Sequence, residues 1–272
     1  MNIEFNMIGG GFQHAYSSCG WERPKYVVWN KTNHSGPISV HIDNEVFSVS
    51  VNKSKLNIAW FCESPWFTRP YTNKLTDSKI KEKILSDFKY IFSNDLELIQ
   101  KHPEIKYLLP HAFTWCKERK VFPKTKLWSI IASEKNDAPG HKFRHIIIET
   151  YRDHLETFGG GYKKIKSKNE GLNNFMFSFA IENIKAEGYW TEKIVDCFAT
   201  GTIPIYWRAN SISSYFLENG IVRLDDGFDL SMCNENYYKS KYDIIQENFI
   251  LAKNLSLPED YIYLNYIKEN TY

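Results

Sequence analysis

The sequence predicts a chain of two facing α/β domains, each built on a mostly parallel, doubly wound sheet. Three observations point there. Strand-like and helix-like segments alternate, most regularly after residue 126. The chain has 272 residues, about 1.8 times the roughly 150 residues of a typical domain. A polar, basic stretch over 113–126, interrupted by Pro123, reads as a linker. These give an N-terminal domain over 1–118 and a C-terminal domain over 119–256. A closing helix over 257–272 can pack back on the first domain. Two such units have a cleft between them, where ligands of this architecture bind.

The elements follow in order. Residues 3–8 form a strand that runs into Gly9, Gly10 and Gly11. Segments 38–42 and 46–51 alternate across Asp43-Asn44 as a hairpin-like pair. A buried strand over 56–62 ends at Glu63-Ser64-Pro65. A helix over 78–88 places Ile80, Ile84, Leu85 and Phe88 on one face. A strand over 90–92, a helix over 94–101 and a strand over 105–109 complete the first half. Then come a strand over 127–132 and an amphipathic helix over 141–155, with Phe143, Ile147, Tyr151 and Leu155 four apart. A strand over 175–181 precedes a helix over 191–200 that stops at Gly201. A strand over 203–207, a helix over 210–219 and a strand over 221–224 follow. Helices over 238–255 and 258–270 close the chain.

Composition excludes several classes. The chain is 43% hydrophobic and 24% charged, as folded globular proteins are and disordered ones are not. Lys and Arg total 34 against 32 Asp and Glu, so nothing electrostatic argues for nucleic acid or a membrane surface. No apolar run reaches the 18–20 or so residues of a membrane span. The first eleven residues lack a basic region and a long apolar core, and read as a strand rather than a signal peptide. Cys19, Cys62, Cys116, Cys197 and Cys233 are scattered and odd in number. They argue against a disulfide framework or zinc knuckle and for a reducing cytosol. Aromatics make up 16%; the residues alone allow either a Tyr/Phe-heavy core or sugar-stacking rings.

The segment most specific to chemistry is Phe177 to Trp207, FSFAIENIKAEGYWTEKIVDCFATGTIPIYW. A buried strand delivers Glu182 and Asn183 to the carboxyl edge of the sheet. A loop through Gly188 and Tyr189 leads to Thr191, a helix cap, followed by Glu192 and Lys193. A helix N-terminus offers unpaired N–H groups and a positive dipole end, and Lys193 adds a full charge. That combination suits a phosphate or pyrophosphate. Glu192 can accept hydrogen bonds from ribose or sugar hydroxyls. The physics alone equally allows Glu192 to serve the dipole and Lys193 to be solvated.

This pattern, F-x-x-x-x-E-N, a loop, Tyr, T-E-K, a helix and G-T-x-P-x-x-W, resembles the donor-binding motif of the α1,3/α1,4-fucosyltransferases, glycosyltransferase family 10. Ser129 to Gly159 resembles the first unit of that family's donor domain, with Ser133 and Arg144 at the positions of its Ser and Arg. The family's Arg reaches the donor diphosphate. Ile58 to Pro65 (IAWFCESP) resembles a strand of the acceptor domain whose Glu is the proposed general base, and Glu63 matches it. A sugar hydroxyl is a poor nucleophile at neutral pH, and a positioned base contributes roughly 10²–10⁴-fold. Arg208 departs from the pattern, standing where the family carries glycine; a cation there can contact phosphate.

The resemblance implies a GT-B type fold and an inverting, metal-independent transfer of fucose from GDP-fucose to a hydroxyl of a carbohydrate acceptor. The nucleotide sugar is a substrate, and no cofactor or metal is expected. Alternatives are another nucleotide-sugar donor on the same fold, or a non-catalytic carbohydrate- or nucleotide-binding relative. Other signals are weaker. The Gly9–Gly11 run lacks the full dinucleotide fingerprint and reads as a turn, with His14 and Trp66 as possible acceptor-side contacts. Phe67 and Tyr71 are further candidate stacking rings. His141 and His145 are four apart but lack a third ligand, so a helix-surface or capping role is expected. Asp225-Asp226-Gly227 reads as a turn. The acceptor, the linkage and the oligomeric state stay open.

Overall fold

The computed structural model describes residues 2–109, 113–207 and 210–270. The chain is α/β and divides into two compact units, one of Met1–His111 with Ser256–Tyr272 and one of Ala112–Leu255.

In the first unit the elements run β1 (Ile3–Ile8), β2 (Val27–Asn30), β3 (Ile38–Ile42), α1 (Glu45–Ser48), β4 (Leu56–Phe61), α2 (Pro65–Thr72), α3 (Ser78–Asp87), β5 (Tyr90–Ser93), α4 (Leu96–Lys101) and β6 (Lys106–Tyr107). Among the described residues they form a six-stranded sheet in the order β2-β1-β3-β4-β5-β6, with every pair parallel. Strand β4 shows why both faces must be covered. Side chains alternate along a strand. Ile58, Trp60 and Cys62 enter one apolar cluster, Ala59 and Phe61 another. Burying each large apolar side chain contributes about 1.5–3 kcal/mol.

Two local expectations change here. Residues 46–51 are not the return strand of a hairpin. Strand β3 already has parallel partners on both sides, β1 and β4, so no edge is open to them. The chain instead turns at Asp43, at φ +53°, into α1, and Val46 is buried. On α3, Asp77 caps the first turn by accepting from the N–H groups of Lys79 and Ile80. Ile84 is buried but Leu85 is 41% exposed, off the packed face. Strand β2 and helix α2 carry no clear periodicity in the sequence. Strand β2 is a four-residue edge strand reached through a polar loop. Helix α2 starts on Pro65 and carries Pro70 inside it.

The C-terminal segment completes this unit. The helical stretch expected over 258–270 is present, as the α-helical Pro258–Ile262, the π-helical Tyr263–Ile267 and the 3-10 turn Lys268–Asn270 in succession. Ile262 and Ile267 are core residues with β1 and β3. The fully buried Glu259 accepts from Ser18 N–H at 2.5 Å, Ser18 Oγ at 3.1 Å and Trp29 Nε1 at 3.0 Å. Tyr263 stacks on Tyr26 and Tyr266 packs edge-on against Phe92, so these rings of the tyrosine-rich tail pack within the unit.

The second unit holds β7 (Lys126–Ile131), α5 (Pro139–Thr150), β8 (Glu156–Phe158), β9 (Phe175–Ile181), α6 (Glu192–Thr200), β10 (Ile203–Trp207), β11 (Val222–Arg223), α7 (Glu235–Ser240) and α8 (Tyr242–Lys253). Its five described strands lie in the order β11-β10-β9-β7-β8, all parallel. Renumbered within the unit this is 2-1-3-4-5, the order of the first five strands of the other sheet. Every residue of β9 is buried, as a central strand covered on both faces requires. Helix α5 stops at Thr150, so Tyr151 and Leu155 lie beyond it, although both still enter the unit's apolar cluster. Residues 210–214 form a 3-10 turn in place of a helix to 219. The helix expected over 238–255 is two, α7 and α8, meeting at Lys241.

The boundary falls at 112 rather than 119. Residues 114–118 are tied to the second unit. Thr114 Oγ1 and Trp115 N–H donate to Asp196 at 2.7 and 2.6 Å, and the N–H groups of Lys117 and Glu118 donate to Asn169 Oδ1 at 2.9 and 3.2 Å.

Candidate functional site

In a doubly wound sheet the strand order reverses between the first and third strands, and the loops leaving their carboxyl ends diverge to leave a crevice. In the second unit that place lies between β7 and β9. A cavity of about 330 Å³ opens there, lined by Ser133 after β7, by Arg144 on α5, by Gly159 and Gly160 after β8, and by Glu192 and Lys193 on α6.

Two glycines let these walls approach. A Cβ on Gly140, in the first turn of α5, would lie 1.7 Å from the Glu182 carbonyl oxygen. Gly140 N–H instead donates to Asn183 O at 2.8 Å, tying α5 to the end of β9. Gly159 has φ +114°, and its Cβ would lie 2.0 Å from the Ala132 carbonyl oxygen.

Arg144 is 7% exposed. Its Nε donates to Ile181 O at 3.0 Å and its Nη2 to Asn183 Oδ1 at 2.8 Å. Both partners are neutral oxygens from the carboxyl end of β9. Burial lowers the guanidinium pKa, while the more distant Glu182 and Glu192 carboxylates oppose the shift. Arginine remains charged under such shifts. A buried guanidinium held by neutral acceptors and facing a cavity is set to receive an anion.

Helix α6 begins as the sequence predicts. Thr191 caps it, its Oγ1 accepting from Lys193 N–H at 3.4 Å, and Gly201 ends it at φ +73°. Glu182 has a different place from the one expected. It is fully buried and is not among the cavity's lining residues. Its carboxylate accepts from Thr191 N–H at 2.9 Å, Thr191 Oγ1 at 2.8 Å and Tyr206 OH at 3.3 Å, and Lys193 Nζ is 3.3 Å away. A buried carboxylate must be satisfied this way, so Glu182 organises the start of α6. Asn183 holds Arg144. Tyr189 is 2% exposed and also off the lining. Of the seven donor-side candidates, Ser133, Arg144, Glu192 and Lys193 reach the cavity.

Sequence reasoning missed Lys168 and Asp196, which also line it. Lys168 Nζ lies 2.7 Å from Asp196 Oδ2 and 3.2 Å from Glu192 Oε1. Burial works against the Lys168 ammonium, but the two carboxylates outweigh it and its pKa stands above the ordinary lysine value. One signal was available. Asp196 is the single acidic residue in the otherwise uncharged run 194–200, where every residue is buried, and such a residue needs a buried partner.

In the first unit Glu63 stands exposed just past β4. Ser64 N–H approaches its Oε2 at 3.3 Å, and Asn94 Nδ2 donates to its backbone carbonyl at 3.1 Å. Trp66, on α2, is 44% exposed. Phe67 is half-buried. Tyr71 packs among Phe47 and Phe61 in the core, and is a core ring rather than a stacking surface. His14 is exposed and lines a separate cavity of about 430 Å³ with Tyr16, Trp21, Arg23 and Trp29. The glycine run is a turn, with Gln13 N–H bonded to Gly10 O.

Arg208 lies outside the described residues. His141 Nδ1 accepts from Ala138 N–H at 3.2 Å, inside the first turn of α5. His145 bonds Tyr162 OH and Lys135 O. Among the described residues no group of three His, Cys, Asp or Glu side chains has metal-holding geometry. Asp225 to Gly227 is a turn, closed by Phe228 N–H on Asp225 O. No described helix is long and apolar enough to cross a membrane.

No protein-family model matches the chain. Over 94 residues, 32% of this chain, it is 37% identical to the alpha-(1,3)-fucosyltransferase FucT of Helicobacter pylori, and it spans only 20% of that protein's length. A crystal structure of an alpha1,3-fucosyltransferase matches 100% of this chain and 90% of its own, at a TM-score of 0.52 and 16% identity. A crystal structure of alpha1,3-fucosyltransferase with GDP-fucose matches 100% of this chain and 91% of its own, at 0.51 and 15%. The pneumococcal O-GlcNAc transferase GtfA, in complex with UDP and GlcNAc, matches 85% of this chain and 56% of its own, at 0.50 and 10%. At these identities the structural likeness is one of fold. The aligned segment is thus similar to a fucosyltransferase over about a third of this chain, and the solved glycosyltransferase structures share its fold.

Proposed function

We propose that this protein is a glycosyltransferase that moves fucose from GDP-fucose to a hydroxyl of a carbohydrate acceptor, with inversion at the anomeric carbon. The observation that carries this reading is Arg144, a buried guanidinium with neutral partners, facing a cavity at the sheet's switch point. A nucleoside diphosphate supplies an anionic partner for the guanidinium, whose own hydrogen bonds go only to neutral oxygens. The second unit then binds the donor and the first the acceptor. The aligned fucosyltransferase segment and the fucosyltransferase fold support the sugar.

The chemistry follows from the residues. As the acceptor oxygen attacks the anomeric carbon, its proton passes to the Glu63 carboxylate. The bond from that carbon to the diphosphate breaks and negative charge grows on the leaving oxygens. Arg144, Lys193 and the N–H groups at the start of α6 stabilise that charge, the term that most lowers such barriers. In this reading Glu192, which lines the cavity, accepts hydrogen bonds from the ribose or sugar hydroxyls. One displacement, assisted by one base, inverts the centre. Because these groups supply the charge stabilisation, transfer is expected to persist in EDTA. The five cysteines are all buried thiols, which suits a reducing compartment such as the cytosol.

The experiment is nucleotide release from a panel of GDP- and UDP-sugars, with and without saccharide acceptors, run beside Glu63→Gln. Acceptor-dependent GDP release from GDP-fucose, lost in Glu63→Gln with GDP binding intact, is the expected result. Release from another nucleotide sugar moves the donor. Binding without release from any of them marks a non-catalytic relative.

A further inference from the structure

We infer that Asp43 is a positioning residue for Glu63, its carboxylate fixing the peptide that carries the base. The inference rests on the assignment of Glu63 as the base. The backbone N–H groups of Cys62 and Glu63 both donate to Asp43 Oδ1, at 2.8 and 3.1 Å. Cys62 Sγ lies 3.4 Å from Oδ2. One carboxylate thus holds both N–H groups where β4 has run out of ladder partners. From the other side, the buried Asn94 donates to the Cys62 and Glu63 carbonyls at 3.4 and 3.1 Å. Glu63 is therefore an exposed side chain on a peptide clamped from both directions.

The backbone at Asp43 supports the assignment. Among the described residues only Asp43 and His34 have positive φ without being glycine. Asp tolerates this left-handed conformation better than most side chains but still at a cost. Strain of this kind persists where surrounding structure enforces it, and it gathers at functional positions. Here the left-handed turn brings the Asp43 carboxylate from the end of β3 to the end of the neighbouring β4. The titratable groups facing it are Glu63, the Cys62 thiol and the half-buried Tyr71.

The test compares Asp43→Gly, Asp43→Asn and Glu63→Gln in the full chain. Glycine deletes the carboxylate and leaves the positive φ unstrained. Asparagine keeps an oxygen for the same two N–H groups and tolerates the same backbone. The expected result for Asp43→Gly is a fall of about 10–100-fold in kcat, with donor KM and GDP affinity unchanged. Asp43→Asn stays within about threefold of the parent. Glu63→Gln/Asp43→Gly is no slower than Glu63→Gln alone, the non-additivity of groups acting as one unit. Circular dichroism checks that each variant folds. If Asp43→Gly folds and keeps its kcat while Glu63→Gln is inactive, the positioning role is overturned and the base stands. If Asp43→Asn falls as far as Asp43→Gly, positioning by hydrogen bond is overturned. Full activity in Glu63→Gln overturns the base and this inference with it.

Discussion

Arg144 Nη2 and Asn183 Oδ1 lie 2.8 Å apart, so the guanidinium at the cavity is aimed by a residue just past the end of β9. Replacing Arg144 by Ala removes charge-assisted bonds worth about 1.5–3 kcal/mol. That corresponds to a loss of roughly 10–150-fold in GDP affinity, read by calorimetry. Asn183→Ala leaves the charge but frees its direction, and is expected to weaken GDP binding only about fivefold, because the guanidinium itself remains to meet the diphosphate. Equal losses in the two variants would contradict a direct role for the arginine.

Lys168 and Asp196 give a stability prediction. Lys168→Met strands a carboxylate that is 2% exposed, and breaking such a pair costs about 3–5 kcal/mol. In Lys168→Met/Asp196→Asn the amide still accepts from Thr114 and Trp115. It should recover more than half of that loss in urea titrations.

Glu259 gives a pH dependence. Its pKa is raised, first by burial, with the Ser18 and Trp29 hydrogen bonds opposing. A carboxyl whose folded pKa lies above its unfolded one binds more protons in the folded state. Its stabilising contribution is full below the ordinary glutamate value and is lost as pH rises through the folded value. Glu259→Gln removes this titration. Relative to the parent, the variant should therefore be more stable at pH 8 than at pH 5, with thermal melts at both values as the measure. An unchanged difference would place the titration elsewhere.

Gly140 has no room for a methyl group, 1.7 Å from a carbonyl oxygen. Gly140→Ala must push α5 off the end of β9. We expect a loss of several kcal/mol, in the range of severe overpacking, and weaker GDP binding because Arg144 rides on that helix. The exposed Gly10 meets nothing within 4 Å, so Gly10→Ala is the control.

Much of this was legible in the residues, for stated physical reasons. The strand over 175–181 is an apolar run broken only by Ser178 and bounded by polar residues, and the structure starts and ends it there. Thr191 and Gly201 mark α6 by capping chemistry that acts within a few residues. The hairpin at Asp43 was misread because alternation cannot show whether a neighbouring edge is already occupied. Glu182 looked like a ligand-facing carboxylate. Its burial depends on Thr191 and Tyr206 arriving from elsewhere. Lys168 sits in a lysine-rich stretch, where nothing local separates it from its solvated neighbours.

The first unit is not contiguous in sequence. Its core needs Ile262 and Ile267, and Glu259 holds the loop at Ser18. During synthesis, therefore, the ribosome releases all of the second unit before the first has its full complement of core residues. Domains generally fold as units as they emerge. Here the N-terminal half keeps an incomplete sheet face until Ile262 and Ile267 have been made. That interval is when a chaperone would find most to hold.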